Sequence, residues 1–406
     1  MRCLNEQQTG ILQNATVWLL TVAFLFWGLR PLPVAAKPSD PAAILAEGLT
    51  DCLASIDLRG ASLPVAELGS LYRDVLLAHP QLFHVAPRLS CGYVEATVNG
   101  VQTRVVTYVS PVYTMTGTEL TAARALYRET LTSILSAMET AFGDHPRTEA
   151  DTVLYLHDTL AQEYAYDTRP EANANADAYT FFRDGVGICQ AYALAFLALA
   201  RGAGLDAHVV TSDGMDHAWN HVRVEGEWYH VDVTRDDPIP AAGGAPTVTH
   251  TRLLRSDKGL DQLGYYGYTC PYSHACTDTR FEDAGSGRMW GSITQKMEFS
   301  GGRWLGEDQS GGIVAIKLTP DGVFGGQVGD VDLNGEVDPR DLLALYDPRL
   351  PETWREWMRR FLVTGEWSFG EGRKLMAEFA RFPFTKRFFC GIMGADRNQR
   401  RLYDYP

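Results

Sequence analysis

The chain has 406 residues, a formal net charge of -14 and an isoelectric point near 5.2. This length exceeds that of one ordinary domain, so we expect two or three folded units. With 45% hydrophobic and 21% charged residues, the composition is globular and excludes a mainly disordered or fibrous chain. The negative charge disfavours binding to nucleic acids or anionic membrane surfaces.

Residues 1–36 have the pattern of a signal peptide. Arg2 precedes an apolar run at 15–28, and small residues at 34–36 fit a cleavage site. The run is shorter than the ~20 residues of a membrane-spanning helix, which favours cleavage over retention as an anchor. We therefore expect a secreted protein, extracellular or at the cell surface, that contacts a membrane only if this segment is not cleaved.

The cysteines are consistent with export, because thiols outside the cell tend to pair. Cys3 belongs to the signal segment, and the spacing of the others allows the bridges Cys52–Cys91 and Cys270–Cys276. Sequence cannot fix this connectivity. No CxxC pair suggests a zinc site.

A candidate nucleophile lies at the start of a strongly apolar run. The loop at 184–188 leads into CQAYALAFLALA, which predicts a buried helix beginning at Cys189. A helix start stabilises a thiolate, because the unpaired amides and the helix dipole favour negative charge. Taken alone, this residue would more often be an inert core cysteine.

A predicted hairpin supplies the groups that would activate the thiol. Strand patterns at 217–224 and 227–234 flank Glu225-Gly226, a two-residue turn. Pairing Val224 with Glu227 makes His217 and Asp232 diagonal neighbours on one face. A histidine can accept the proton of a thiol, and a carboxylate can orient the imidazole.

Other histidines remain alternatives as the base. His208 lies on a third strand pattern at 207–211, and His221 and His230 lie on the two strands of the hairpin. His221 and His230 would be cross-strand neighbours with no carboxylate beside them, which favours a packing or surface role.

Three blocks carry a family resemblance: LYLHDTLAQEYAYD, GICQAYALAF and DHAWNHVRVEGEWYHVDVTRDDP. In this order they resemble the transglutaminase-like superfamily of papain-type cysteine enzymes, especially exported bacterial members, over roughly residues 145–240. The resemblance implies that Cys189 is the nucleophile, His217 the general base and Asp232 the orienting acid. It also implies amide chemistry through a thioester: hydrolysis, deamidation or acyl transfer.

The resemblance is incomplete beside the triad. Many bacterial relatives have an acidic residue and glycine where this chain has Gln190-Ala191, and an aromatic residue in place of Arg235. These departures put substrate preference in doubt more than the chemistry. For the oxyanion we expect the Cys189 backbone N–H as one donor, with a second among three unranked tyrosines: Tyr164, Tyr166 and Tyr179.

The sequence D-V-D-L-N-G-E-V-D-P-R-D from Asp330 predicts a calcium loop. Oxygen donors at such spacing suit calcium, and the glycine permits the sharp turn. The predicted ligands are Asp330, Asp332, Asn334, Glu336 through its carbonyl, Asp338 and Asp341.

The predicted helix after the loop is weakly similar in sequence to a segment 33 residues later. The loop and this repeat together resemble a dockerin, a module that binds a cohesin on a scaffold protein. The second copy of the repeat lacks the regularly spaced aspartates of the first, so we expect one bound calcium ion rather than two. The calcium would be structural, and no cofactor is expected for catalysis.

The resulting fold class is α+β: a transglutaminase-like or papain-like core, in which the cysteine helix packs on an antiparallel sheet carrying His217 and Asp232, plus a small α-helical dockerin-like module. We expect these segments: signal peptide 1–36, mixed α/β region 37–135, catalytic domain 136–325, dockerin-like module 326–385 and basic tail 386–406. The expected substrate is a protein or peptide amide, and a cohesin-bearing scaffold is the expected partner. The alternative is a non-catalytic binding protein attached through calcium and a cohesin.

Overall fold

A computed structural model describes residues 40–98, 100–169, 176–239, 247–269, 274–282, 293, 295–307, 313–328 and 333. The predicted signal segment, the calcium-loop ligands, Cys270 and the basic tail lie outside these residues. None of the helices in the described part combines the length and apolar character that crossing a bilayer requires.

The first described unit is a small antiparallel sheet covered by helices. Its elements are α1 (Pro41–Thr50), β1 (Ile56–Asp57), α2 (Val65–Ala78), a 3-10 turn (Pro80–Leu82), β2 (Val85–Val98) and β3 (Val101–Tyr113). The strand order is β1-β3-β2. Leu45, Leu49, Leu68 and Val109 are among the side chains of its apolar core.

Four helices build the frame around the predicted nucleophile: α3 (Gly117–Phe142), α4 (Glu149–Glu163), α5 (Ala178–Asp184) and α6 (Cys189–Gly202). Thr148 caps α4, and a reciprocal capping box forms because its hydroxyl accepts the N–H of Asp151 while Asp151 accepts the N–H of Thr148. Helix α6 is apolar on nearly every side and is buried between its neighbours, as that composition requires.

The second sheet is the predicted three-stranded antiparallel one. Its strands are β6 (Ala207–Ser212), β7 (His217–Val224) and β8 (Glu227–Val231), in the order β6-β7-β8. Glu225 and Gly226 both have positive φ, 50° and 89°, as the predicted tight turn requires. A parallel pair, β4 (Ala165–Tyr166) and β5 (Val186–Gly187), precedes α6.

The last predicted strand is shorter than expected. It ends at Val231, and a short helix, α7 (Val233–Asp236), follows. The Asp232 side chain accepts the N–H of Arg235, so this residue begins a helix instead of continuing the strand.

A third sheet occupies a stretch for which the sequence indicated no regular structure. After α8 (Asp257–Gln262) come β9 (Glu298–Ser300), β10 (Arg303–Glu307), β11 (Ile313–Thr319) and β12 (Gly322–Val328), paired in the order β12-β11-β10-β9. The turn between β9 and β10 is Gly301-Gly302, with φ of 61° and 83°. Its strands share the main core with α3 and α4 through Trp304, Val314 and Ile316.

The bridge Cys52–Cys91, which the spacing allows, is not formed, because both residues are free thiols in the structure. Cys52 lies in the turn after α1, where its Sγ is 3.4 Å from His84 Nε2. Cys91 lies in β2 opposite Val109. The two thiols therefore have separate environments.

Candidate active site

Cys189 is the first residue of α6, as predicted. Gly185 ends α5 in the left-handed conformation, and the chain then runs extended through β5 to Ile188 before the helix begins. The amides of a first helical turn lack intrahelical acceptors, so the helix start favours a negatively charged sulfur. The side chain is half-buried.

The hairpin brings His217 and Asp232 together. The register pairs Asn220 with Val231, Val222 with Tyr229 and Val224 with Glu227, in agreement with the predicted pairing. His217 Nε2 lies 2.6 Å from Asp232 Oδ2, and both side chains are almost fully buried. Because Nε2 is engaged by the carboxylate, Nδ1 is the nitrogen left for the Cys189 thiol, with which the imidazole also interacts.

These contacts set the charges of the pair. Burial would lower the pKa of His217, but Asp232 and Cys189 outweigh burial and raise it to about 9. Burial opposes ionisation of Asp232, yet hydrogen bonds from His217, Tyr265 and the Arg235 amide lower its pKa overall. The geometry therefore favours an imidazolium beside a carboxylate at neutral pH.

Two aromatic residues support this pair. The Tyr265 hydroxyl donates to Asp232 Oδ2. Trp219 stacks beside the imidazole of His217, with ring centroids 5.6 Å apart. Sequence reasoning missed Tyr265, since it comes from a loop after α8 and no spacing rule links it to the hairpin.

The three tyrosines predicted as candidate oxyanion donors differ in their surroundings. Tyr164 stacks on Phe181 at 4.4 Å, and Tyr179 stacks on Phe83 at 4.7 Å, so both are packing residues. Tyr166 instead pairs with Gly187, two residues before Cys189. Burial and the neighbouring charges of Cys189 and Asp216 raise its pKa, so its hydroxyl keeps its proton and can donate.

The residues that depart from the family pattern have clear contacts. Gln190 Nε2 donates to the Ala176 carbonyl at 3.1 Å. The Arg235 guanidinium lies 4.6 Å from the centre of the Tyr265 ring. Arg235 thus packs on the tyrosine that donates to Asp232.

The alternative histidines occupy a different place. His221 and His230 are opposite each other, as predicted, but both are buried, which excludes a surface role. The expectation that no carboxylate lies beside them is wrong: His230 Nε2 lies 2.9 Å from Asp257 Oδ1. Asp257 begins α8 and could not be placed there from the hairpin alone. The ring of His208 stacks on Trp228 at 5.1 Å.

A buried cluster of histidine and aspartate side chains lies between α4 and α7. His157 Nδ1 is 2.8 Å from Asp158 Oδ1, and its Nε2 is 3.3 Å from Asp236 Oδ2. His250 Nε2 also contacts Asp158, at 2.8 Å. These bonds tie α4 to α7, the helix that Asp232 caps.

One comparison with known protein families finds a match in the central part of the chain. Residues 137–233 match the family model described as the transglutaminase-like superfamily. That segment contains Cys189, His217 and Asp232. A comparison with curated proteins finds no match.

Solved structures show a distant likeness. A TGase crystal structure is 16% identical, with a TM-score of 0.24, and the alignment covers 36% of this chain and 44% of that one. A candidate cysteine protease from Cytophaga hutchinsonii is 16% identical, with a TM-score of 0.22 and coverages of 40% and 66%. A candidate protease from Parabacteroides distasonis ATCC 8503 is 16% identical, with a TM-score of 0.21 and coverages of 40% and 40%. The chain spans less than two thirds of each of these structures.

The family match and the observed helix-and-sheet geometry together show that the chain contains a transglutaminase-like core.

Proposed function

We propose that this protein is an exported cysteine enzyme that acts on protein or peptide amides through a thioester at Cys189. The observation that carries the proposal is that His217 interacts with both Cys189 and Asp232, and the contact with Asp232 is 2.6 Å long. A thiol at a helix start beside an imidazolium is the arrangement that nucleophilic thiol catalysis requires.

In the proposed reaction the Cys189 thiolate attacks the carbonyl carbon of the amide. The carbonyl oxygen becomes an oxyanion, for which the Cys189 N–H and the Tyr166 hydroxyl are the proposed donors. The His217 imidazolium gives its proton to the leaving amine as the C–N bond breaks. A thioester remains, and His217 is now neutral.

A second nucleophile then resolves the thioester. Water or a primary amine attacks the same carbon, His217 accepts the proton of the nucleophile, and the C–S bond breaks to return the thiolate. Water gives hydrolysis or deamidation, while an amine gives acyl transfer. Because both reactions use the same residues, substrate access decides between them.

The attachment of the enzyme is a separate part of the proposal. The motif beginning at Asp330 would hold one structural calcium ion with the six predicted ligands. The dockerin-like module would then bind a cohesin on an extracellular scaffold. The support for this part is the spacing of the oxygen donors and the signal pattern at the N-terminus.

The experiment incubates the purified protein with a casein-like substrate, with and without a fluorescent primary amine. We expect cleavage, ammonia release or amine incorporation in the wild type and in Cys91→Ala, and none in Cys189→Ala. Which product appears identifies the reaction. Absence of all three products on several protein substrates would contradict the proposal and favour the non-catalytic attachment protein.

A further inference from the structure

A second group of polar side chains lies on the hairpin, apart from the Cys189 site. His221 of β7 and His230 of β8 meet Asp257 of α8 and Cys276 from the segment 274–282. Each residue offers one ligand atom, and these atoms all lie within 4.8 Å of one another. The proposed catalytic reaction uses none of them.

His221 is the member of this group whose ring nitrogens could bind a ligand. Its side chain is 1% exposed, and neither ring nitrogen has a hydrogen-bond partner among the described residues. An unpaired buried polar group destabilises the folded state, and native proteins rarely leave one. A neutral imidazole keeps a lone pair on one ring nitrogen, and that lone pair can bind a metal ion.

The role of His230 follows from its hydrogen bonds. Trp219 Nε1 is 2.9 Å from His230 Nδ1, and an indole N–H can only donate. Nδ1 is therefore an acceptor, and Nε2 carries the proton that it donates to Asp257 Oδ1. With this tautomer His230 orients the carboxylate and does not itself offer a lone pair to a metal.

Asp257 joins the remaining members. Its Oδ2 accepts the backbone N–H of Cys276 at 2.9 Å, which holds the buried Cys276 beside the carboxylate. The cluster thus combines a carboxylate, a neutral imidazole and a thiol.

We propose that His221, Asp257 and Cys276 bind a divalent cation of the zinc type, with His230 as a positioning residue. Sulfur, nitrogen and oxygen ligands together suit Zn²⁺ rather than Ca²⁺ or Mg²⁺. Ligand atoms on one tetrahedral zinc ion lie about 3.5 Å apart, so atoms that lie within 4.8 Å of one another need to close by no more than about 1 Å on binding. A water molecule takes the fourth position.

The cation would fasten α8 and the segment 274–282 to the hairpin. Trp219 connects this site to the proposed catalytic one, because it donates to His230 and stacks on His217. The role is therefore structural support of the strands that carry His217 and Asp232. The ligands are far apart in sequence, which explains why no zinc motif is visible.

The test uses Co²⁺ as the probe in the full chain with Cys189→Ala, so that the proposed catalytic thiol cannot contribute. After chelator treatment, one equivalent of Co²⁺ should produce a thiolate-to-cobalt charge-transfer band and raise the thermal unfolding midpoint. The calcium loop contains only oxygen donors and cannot produce this band.

Variants assign the band to the cluster. Cys276→Ser and His221→Phe should each abolish it, whereas the matched control Cys91→Ser should retain it. His221→Phe removes two unpaired buried nitrogens, so this variant should fold even if Cys276→Ser does not. A band that survives His221→Phe, no band in the parent protein, or a Cys270–Cys276 disulfide in its non-reduced peptide map would each overturn the proposal.

Discussion

Asp232 is held by three donors: His217 Nε2, the Tyr265 hydroxyl and the Arg235 backbone N–H. A carboxylate with this many donors stays ionised although it is buried. Its orientation is fixed as well, because the donors come from a strand, a helix start and a loop. The direction of the imidazole, and so of Nδ1 toward Cys189, depends on this carboxylate.

Tyr265→Phe should lower kcat about tenfold and leave KM unchanged, because one hydrogen bond to a charged group contributes about 1.5–3 kcal/mol. Tyr265 acts through Asp232, so the pH profile of Cys189 alkylation should shift as well. Steady-state kinetics and alkylation rates measure the two effects. The control Tyr266→Phe changes an exposed neighbour and should alter neither. Equal kinetics in both variants would contradict the positioning role.

Sequence predicts the histidine and aspartate of the site better than their surroundings. Strand register follows from the two-residue turn, and it places His217 near Asp232 without further information. Tyr265 reaches Asp232 through the tertiary path of a loop, which no local pattern encodes. The same holds for Asp257 beside His230.

At the scale of elements, Asn220 links the nucleophile helix to the sheet. Its Nδ2 donates to the Ala193 carbonyl of α6 at 2.9 Å and lies 3.3 Å from the His208 carbonyl of β6. One side chain on the strand of His217 thereby fixes the position of the helix of Cys189.

Asn220→Ala should lower the free energy of unfolding by about 1–3 kcal/mol, because a buried amide loses its place between two elements. Urea denaturation measures the change. Gln102→Ala removes an amide of an exposed hydrogen bond to Thr97 and should change stability by less than about 0.5 kcal/mol. An equal effect of both substitutions would show that Asn220 does not join the helix to the sheet.

The buried cluster between α4 and α7 should make stability depend on pH. Burial opposes charge on His157, but Asp158 and Asp236 raise its pKa to about 9, above the 6.5 of an unfolded histidine. The contribution of this charge to the free energy of unfolding is therefore fully present below pH 6.5 and is lost as pH rises through about 9.

Urea unfolding of the wild type at pH 6 and pH 9.5 should show this loss. His157→Gln should be less stable at pH 6 and should lack that part of the decline. The control His145→Gln, at an exposed position, should behave like the wild type. A decline of unchanged size in His157→Gln would assign it to other groups.

Helices were easier to predict than the third sheet. The capping pair Thr148–Asp151 and the apolar run after Cys189 define α4 and α6 locally. Strands β9–β12 are short, and their core side chains are stabilised by packing against α3 and α4, which no local sequence pattern shows. The hydrogen bond from Trp304 Nε1 to Asp151, 2.7 Å long, is one such tertiary contact. The helix at Asp232 replaced a strand because one side chain caps it.

At the scale of the whole molecule, catalysis and attachment should be separable. The described helices and sheets form the core that carries Cys189, while the proposed calcium loop begins at Asp330, after β12. No proposed catalytic residue belongs to the loop.

Replacing both Asp330 and Asp332 by alanine should abolish binding of one calcium ion, because two of the charged ligands are removed. Isothermal titration with Ca²⁺ measures the loss. The rate of Cys189 alkylation should not change, and Asp321→Ala, an exposed acidic residue outside the loop, should bind calcium normally. Unchanged calcium binding in the double variant would contradict the assigned ligands.

The most direct test of the account is the rate at which iodoacetamide labels Cys189, followed by peptide mass spectrometry from pH 6 to pH 9 in the wild type and in His217→Ala. Cys91 in the same sample is the internal reference. An ion pair predicts that Cys189 reacts at least about tenfold faster than Cys91 at neutral pH, and that this advantage disappears in His217→Ala. Equal, slow labelling of Cys189 in both proteins would contradict the claim that His217 activates this thiol.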